Sequence, residues 1–293
     1  MVATKRVSSR PEGPLSGFTG RAGPPRVPLP ALAPASRRGL TAGKAGRRRP
    51  KGCMVAKDSY IRGPVAVAIT FAHRGARAVH PENTLPAFRH ALEHGARGLE
   101  SDAWRAGDDE VVLVHDESLR GGRLGRRVAV GSSTSTRLAE LGVPRLADLY
   151  RELGSDYELS IDLKDHEVGA SIIDLARAEG AVERLWLCSP SRGVLRPLRE
   201  QSSDVRLVHS QSKSRLEQPI ERHAAGLAES KIDAVNLHHS EWTAGLVALF
   251  HRFNVKAFAW DCQEERHLRA MQQIGIDAVY SDHVDRMVSV IGS

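Results

Sequence analysis

The chain has 293 residues, 41% of them hydrophobic and 26% charged, with a formal net charge of +7, proportions ordinary for a globular protein. That charge is unevenly placed: residues 1–53 hold 12 Lys and Arg against the single acid Glu12, while the other 240 residues hold 30 basic and 34 acidic side chains. A mildly acidic folded part argues against a nucleic-acid-binding domain, three cysteines at no metal-type spacing argue against a disulfide framework or a zinc site, and no stretch approaches the ~18 apolar residues that span a bilayer.

Residues 1–53 carry 8 of the 15 prolines and 8 of the 26 glycines. A segment of that composition buries too little surface to offset its ordering entropy, so residues 1–60 are expected to form a disordered basic tail. A transit peptide, a basic binding arm and an overextended start, with Met54 as the working first residue, are the alternatives. No apolar stretch follows the basic residues as a secretory signal would require. Cys188 and Cys262 lie in or beside apolar runs and read as core filling, Cys53 lies in the tail, and a reducing, cytoplasmic location is expected.

From residue 64 onward a folded domain is expected, reaching to residue 293. Short apolar runs fall at 65–72, 98–103, 110–114, 158–163, 184–188, 205–208, 232–237, 255–260 and 276–280, and most are separated by helix-length amphipathic stretches such as 86–94 and 264–274. Strand–helix alternation implies a parallel sheet with crossover helices. Only Trp104 to Asp109 separate the second and third runs, which is too short for a crossover and right for a hairpin. Removing the return strand leaves eight strands, so the expected fold is an α/β (β/α)8 barrel with a β-hairpin arm after the second strand. An open doubly wound sheet is the alternative, weakened by the lack of a Gly-rich phosphate fingerprint after the first strand.

Barrels of this kind carry their chemistry at the C-terminal ends of the strands. The polar residues there are His73-Arg74, Glu100 with Asp102, His115-Asp116, Asp162 with Lys164, Ser189, His209, Asn236 with His238, Trp260-Asp261 and Asp282. Glu100 and Asp102 share one strand face. A turn about Gly107 and Asp108 sets His115 across the ladder from Glu100. Asp162 on the next strand adds a third carboxylate, and three hard oxygen ligands suit Mg²⁺ or Ca²⁺; ion pairs with rim Arg and Lys are the bland alternative. His73 and His115 suit a general acid–base couple, and Arg74 and Lys164 supply a planar fork and a point charge for a phosphate.

The motifs His73-Arg74-Gly75, Pro81-Glu82-Asn83-Thr84, Ala87-Phe88, Gly95-Ala96, Glu100-x-Asp102, His115-Asp116, Pro144-x-Leu146 and Gly275-Ile276-Asp277-Ala278 with Ser281-Asp282 resemble the glycerophosphodiester phosphodiesterase domain family over roughly residues 67–285. The resemblance implies metal-dependent hydrolysis of glycerophosphodiesters to an alcohol and glycerol 3-phosphate. His73 and His115 would act as acid and base, Glu100, Asp102 and Asp162 would hold Mg²⁺ or Ca²⁺, and Arg74 would contact phosphate. Trp260 matches the family's tryptophan on the penultimate strand, and Glu82 would contact either the substrate glycerol or the metal shell. Three departures stand out: Asp162 where Glu is usual, Asp261 where Thr is common, and a short, Gly/Ser/Arg-rich 117–136 segment without a clear fold. That short segment suggests an open mouth able to admit a lysophospholipid. A lysophospholipase D or sphingomyelinase D-like lipid phosphodiesterase and a catalytically impaired binding barrel are the alternatives, while the expected partner is a small-molecule phosphodiester or a lysophospholipid.

The remaining polar candidates weigh less. His209, His238 and His239 read as rim or loop histidines. Asn236 reads as solvated or as a substrate contact, and Trp260 as packed core or part of the site. Glu82 also suits the start of a helix, with Thr84 as its cap, and Asp282 reads as a helix N-cap rather than a ligand.

Overall fold

The computed structural model describes residues 67–121, 125–216 and 218–292. The tail expected over residues 1–60, and Cys53 with it, lies outside them. The strands are β1 (Ile69–Ala72), β2 (Gly98–Arg105), β3 (Val111–Leu113), β4 (Ser118–Arg120), β5 (Arg127–Ala129), β6 (Glu158–Leu163), β7 (Leu185–Ser189), β8 (Arg206–Ser210), β9 (Ala234–His238), β10 (Lys256–Trp260) and β11 (Ala278–Ser281). The helices are α1 (Leu85–Glu93), α2 (Ser135–Ala139), α3 (Leu146–Leu153), α4 (Gly169–Ala178), α5 (Arg192–Gln201), α6 (Ile220–Glu229), α7 (Ala244–Arg252), α8 (Glu265–Ile274) and α9 (Val284–Ile291). Among the described residues no helix is long and apolar enough to cross a membrane.

Strands β1, β2 and β6 to β11 pair in parallel in chain order, and β1 closes the ring by pairing with both β2 and β11. This is the expected eight-stranded barrel. Its strands follow the pleat: one parity faces the helices and the other faces the lumen. Leu99, Ile161, Leu187, Leu207, Val235, Ala257 and Val279 join the outer core against the helix layer. Phe71, Trp186, Cys188, Val208, Ala234, Phe258, Ala278 and Tyr280 form the lumen's own apolar cluster. There Phe71 stacks on Tyr280 at 4.8 Å between centroids, and Trp186 tilts against Phe258 at 5.0 Å. The lumen is therefore plugged, and the same inward parity carried one step further up each strand produces the polar mouth. Cys188 and Cys262 are both buried free thiols, in keeping with core filling.

The arm after β2 forms as expected, but in a different register. Ala103 pairs with Leu113 and Arg105 with Val111. The loop holds three residues, 107–109: the Ala106 amide donates to the Glu110 carbonyl at 2.9 Å and the Asp109 amide to the Ala106 carbonyl at 3.0 Å. Asp109 takes the left-handed conformation, with φ 64°, which a three-residue hairpin loop needs at its last position. Asp108 is pinned outside the hairpin, because its carboxylate accepts from the Ser135 amide and hydroxyl at 2.9 Å each. One extra loop residue shifts the ladder by one, so His115 does not sit opposite Glu100. The ladder ends at Leu113 and His115 reaches the mouth from the chain beyond it, its carbonyl accepting from Trp104 Nε1 at 3.2 Å.

The segment 117–136, expected to lack a clear fold, contains the β4–β5 hairpin and the start of α2. Neither strand shows apolar alternation, so periodicity misses them. Arg127 holds the hairpin by donating to the Ser118 hydroxyl at 2.6 Å and its carbonyl at 2.8 Å. Leu138 of α2 packs with Val112, Val130 and Val143 in a satellite core beneath the arm.

His209 is a second correction. It is a buried residue of β8 rather than a rim or loop histidine. The parity of β8 explains this: Val208 faces the lumen, so Leu207 and His209 face the helices. Its Nε2 lies 3.1 Å from the Pro190 carbonyl, and its ring lies 5.0 Å from that of His223 on α6. Burial, then His223, push the His209 pKa down to about 4. The unfolded chain therefore binds a proton that the folded chain refuses between about pH 6.5 and 4. Stability is complete above that window and falls as pH drops through it, by on the order of 3 kcal/mol. Denaturant unfolding of wild type and His209→Gln at pH 7.5 and 4.5 should show a smaller acid loss in the variant, and an equal loss in both would sink this account.

Candidate active site

The mouth of the barrel is a cavity of about 560 Å³, and His73, Arg74, Glu100, Asp102, His115, Asp162, Lys164 and Trp260 all line it. The strand-end residues singled out in the sequence thus converge at one end of the barrel. Each arrives by lumen-facing parity or from the turn just beyond a strand.

Glu100 and Asp102 sit two apart on β2, and Asp102 pairs in register with Asp162 on β6. One carboxylate oxygen from each of the three lies within 4.8 Å of the others. Asp162 reaches the cluster although it is a methylene shorter than Glu. Glu100 is 6% exposed and Asp102 2%, so their charges are largely withdrawn from water. Burial pushes the Glu100 pKa up to about 8; His73 opposes this, and Asp102 and Asp162 reinforce it. Asp162 is also raised, by burial first and by Asp102 against the pull of Lys164. Asp102 goes the other way. Burial would raise it, but Lys164 Nζ at 3.0 Å and Arg74 Nε at 3.2 Å hold it below the usual carboxylate range. Lys164 also lies 3.3 Å from Asp162. The raised Glu100 and Asp162 carboxyls are the mark of a desolvated ring of hard oxygen donors that lacks enough positive charge to ionise fully, and a divalent Mg²⁺ or Ca²⁺ fits that need.

His73 is held at Nδ1 by Asp282 at 2.6 Å, and its Nε2 lies 3.8 Å from Glu100. Burial alone would lower its pKa; Glu100 and the Asp282 hydrogen bond outweigh that and raise it. Asp282 is therefore not the helix cap expected from sequence. His283 is the N-cap of α9, and the Asp282 side chain turns back into the mouth. His115 has the same arrangement, with Nδ1 2.9 Å from Asp116 and a half-exposed ring. Each imidazole thus has one nitrogen held by its own carboxylate, which orients the ring and leaves Nε2 for chemistry.

The β1–α1 turn is strained to fit this cluster. Arg74 and Asn83 take left-handed φ values of 54° and 55°. In that conformation the Arg74 amide donates to Glu100 at 2.9 Å. Asn83 donates to Asp102 at 3.1 Å and accepts from the Ser101 hydroxyl at 2.7 Å. Glu82 stays off the cavity wall and pairs with Arg74 at 2.9 Å and Arg77 at 2.7 Å, bracing the Arg74 guanidinium. Thr84 caps α1 by accepting from the Ala87 amide.

Trp260 is 37% exposed at the end of β10, so it belongs to the mouth rather than to packed core. Its ring meets that of His238 edge-on at 4.6 Å. His238 Nε2 lies 3.2 Å from Asp261, and His239 stacks on His267; His238 and His239 form the rim expected of them. Asn236 is buried and lines the cavity. Asn83, Asp116 and Asp282 are the contributors whose roles sequence reasoning missed. For Asp282 a signal existed, since it lies two residues beyond lumen-facing Tyr280.

The sequence profile of the glycerophosphoryl diester phosphodiesterase family matches residues 73–286. A glycerophosphodiester phosphodiesterase of Caldanaerobacter subterraneus subsp. tengcongensis is 23% identical over 248 residues, covering 76% of this chain and 97% of that protein. The fold is similar to the crystal structure of a glycerophosphodiester phosphodiesterase from Thermotoga maritima, with TM-score 0.67, 23% identity and coverage of 76% of this chain and 97% of that one. It is also similar to an Oleispira antarctica phosphodiesterase solved with the product sn-glycerol-3-phosphate, with TM-score 0.66, 20% identity and coverage of 78% and 98%.

Gly75 is the position on which the strained turn depends. It takes φ 79°, and a Cβ there would lie 2.8 Å from the Ala87 backbone carbon. Both the dihedral and the contact exclude a side chain, so Gly75→Ala should lower unfolding free energy by roughly 1–3 kcal/mol. Denaturant midpoints measure this, and an unchanged midpoint would show that the turn relaxes freely.

Proposed function

The chain belongs to the glycerophosphoryl diester phosphodiesterase family, and we propose that it hydrolyses glycerophosphodiesters to an alcohol and glycerol 3-phosphate, with a divalent metal and a two-histidine acid–base mechanism. The observation that carries this reading is the pair of carboxylate-held imidazoles, His73–Asp282 and His115–Asp116, lining the same cavity as three converging carboxylates.

Glu100, Asp102 and Asp162 would hold the metal, which when bound supplies Lewis-acid polarisation of a phosphoryl oxygen. Arg74 and Lys164 bind the phosphate and stabilise the charge that develops on its oxygens. One histidine takes the proton of the attacking hydroxyl at Nε2, and the other donates a proton to the leaving alcohol oxygen. A substrate glycerol hydroxyl is the first nucleophile. The cyclic phosphate it forms is then opened by water, with the two histidines exchanging roles. Asp282 and Asp116 keep each ring turned, and Asp282 also stabilises the protonated form of His73. Trp260 offers an apolar wall at the mouth, where the alcohol substituent enters.

Hydrolysis of glycerophosphocholine, glycerophosphoethanolamine, glycerophosphoinositol and lysophosphatidylcholine, with Mg²⁺, Ca²⁺ or EDTA, tests the reading. Turnover should vanish in EDTA and in Glu100→Ala. His73→Ala and His115→Ala should each lose about 10²–10⁴-fold in kcat. A folded, metal-binding chain that hydrolyses none of these diesters would overturn the enzymatic reading. Turnover of lysophosphatidylcholine alone would make it a lipid phosphodiesterase.

Metal binding can be read without turnover. Mg²⁺ or Ca²⁺ should raise the thermal midpoint of the wild type, as any ligand of the folded state does, and should not raise that of Glu100→Gln/Asp162→Asn. An equal rise in both proteins would place the ion elsewhere.

A further inference from the structure

Strands β9 and β10 run side by side with His238 in register with Trp260, so the next residues, His239 and Asp261, leave the barrel together at the rim. There His238, His239 and Asp261 converge, and one donor atom from each lies within 4.8 Å of the others. The group stands on other strands than the carboxylates of the mouth, which belong to β2 and β6, yet Asp261 also lines that mouth.

Each member of the group is held from behind. Asp261 takes a left-handed φ of 63°, and in it one carboxylate oxygen lies 3.2 Å from His238 Nε2 while the other accepts from Gln263 Nε2 at 3.2 Å. His238 Nδ1 lies 2.7 Å from the Ser240 hydroxyl, on a short turn that Glu241 closes by accepting from the His238 amide at 3.3 Å. His239 stacks on His267 with 3.9 Å between ring centroids. Outer partners of this kind orient metal ligands and set their tautomers. A hydrogen bond between His238 and Asp261 accounts for those two residues alone. It leaves out His239, whose ring makes no hydrogen bond among the described residues although one of its nitrogens belongs to the converging set.

The donors select the ion. Two imidazoles and one carboxylate suit Zn²⁺, whereas the all-oxygen ring of the mouth suits Mg²⁺ or Ca²⁺. Donors about 2.0–2.1 Å from a tetrahedral ion stand roughly 3.3 Å apart, and the His238 and Asp261 donors are already 3.2 Å apart. His239 has to bring its nitrogen closer by at most about 1.5 Å, within the reach of a side-chain rotation. Without the ion, His238 Nε2–H donates to Asp261 and Nδ1 accepts from the Ser240 amide at 3.3 Å. With it, the ring's single proton sits on Nδ1 and is donated to the Ser240 hydroxyl, which frees Nε2 for the metal; the imidazole stays neutral throughout. Arg266, a cation near this group, is engaged by Glu264 at 2.9 Å.

We propose that His238, His239 and Asp261 form a rim site for Zn²⁺, separate from the hard-oxygen ring, with water in the fourth position. An ion there cancels the Asp261 charge on the mouth wall and fixes His238 against the ring of Trp260, 4.6 Å away. The assignment does not rest on the phosphodiesterase reading.

Zinc titrated into the full-length chain in excess Mg²⁺ tests it, with affinity read by calorimetry and ring resonances read on histidine-labelled protein, assigned through His238→Gln and His239→Gln. The tightest-binding zinc should shift the His238 and His239 resonances together. Loss of an outer partner alone weakens a metal site roughly 10–100-fold, so His238→Gln, His239→Gln and Asp261→Asn should each weaken zinc at least about tenfold. Asn is chosen at position 261 because it tolerates the left-handed backbone. Ser240→Ala removes only the hydroxyl behind His238, should also weaken zinc roughly tenfold, and serves where a ligand variant does not fold. Glu100→Gln/Asp162→Asn should keep wild-type zinc affinity. Zinc that shifts neither ring overturns the site, and wild-type affinity in any of the four single variants overturns the ligand arrangement. Loss of zinc in Glu100→Gln/Asp162→Asn would assign the ion to the carboxylate ring and overturn the rim site.

Discussion

Three carboxyl groups crowded together at one end of the barrel are the constraint around which the site is arranged. Glu100, Asp102 and Asp162 place three carboxylates within a few ångströms of each other, two of them almost wholly out of water. Such a ring persists only when each oxygen finds a cation or a donor. Lys164 and Arg74 meet Asp102, and the Arg74 amide and His73 meet Glu100. The left-handed residues of the β1–α1 turn follow from this demand, because they aim an amide and an Asn side chain at the cluster. Strain of this kind persists only where surrounding structure over-determines it. Gly75, packed against the Ala87 backbone, is part of that surrounding structure.

The barrel supplies a rigid seat for the ring. Below the carboxylates, Phe71, Trp186, Phe258 and Tyr280 fill the lumen. Between plug and site, the Ser160 hydroxyl lies 3.0 Å from the Tyr280 hydroxyl and 3.3 Å from Cys188 Sγ. A packed floor of this kind does not deform continuously, so groups above it keep their spacing as charge develops. The two histidines differ in mounting. His73 stands directly past β1 and is tied to the last strand through Asp282. His115 hangs from the chain beyond the arm and is more exposed.

The loops after the strands divide the C-terminal face into two chemistries. On the β1–β2–β6 side the walls combine carboxylates with cations. On the β7–β8 side Arg192, Arg215, His209 and His223 line a neighbouring cavity, with no carboxylate among the described residues of its wall.

Much of this was legible along the chain. The eight barrel strands, the antiparallel return, the shared face of Glu100 and Asp102 and the convergence of His73, Asp162 and Lys164 follow from the two-residue period of a strand and from the convergence of a barrel's strand ends. Both are local rules applied repeatedly. The same parity, continued past Tyr280, points to Asp282, which a helix-start reading obscured. What the sequence could not determine depended on contacts between distant residues. The arm's register turned on one loop residue, decided by Asp109's backbone and by Asp108 bonding to Ser135, 27 positions away. The β4–β5 hairpin is held by one arginine on a serine rather than by an apolar stripe. His209 became a buried partner of His223 because β8 and α6 pack there, and no period in either segment announces the other. Sequence alone determined which residues stand at the strand ends, because side-chain direction on a strand is set by its neighbours. Tertiary structure alone decided which of them touch, because those distances are set by loop closure and packing between segments far apart in the chain.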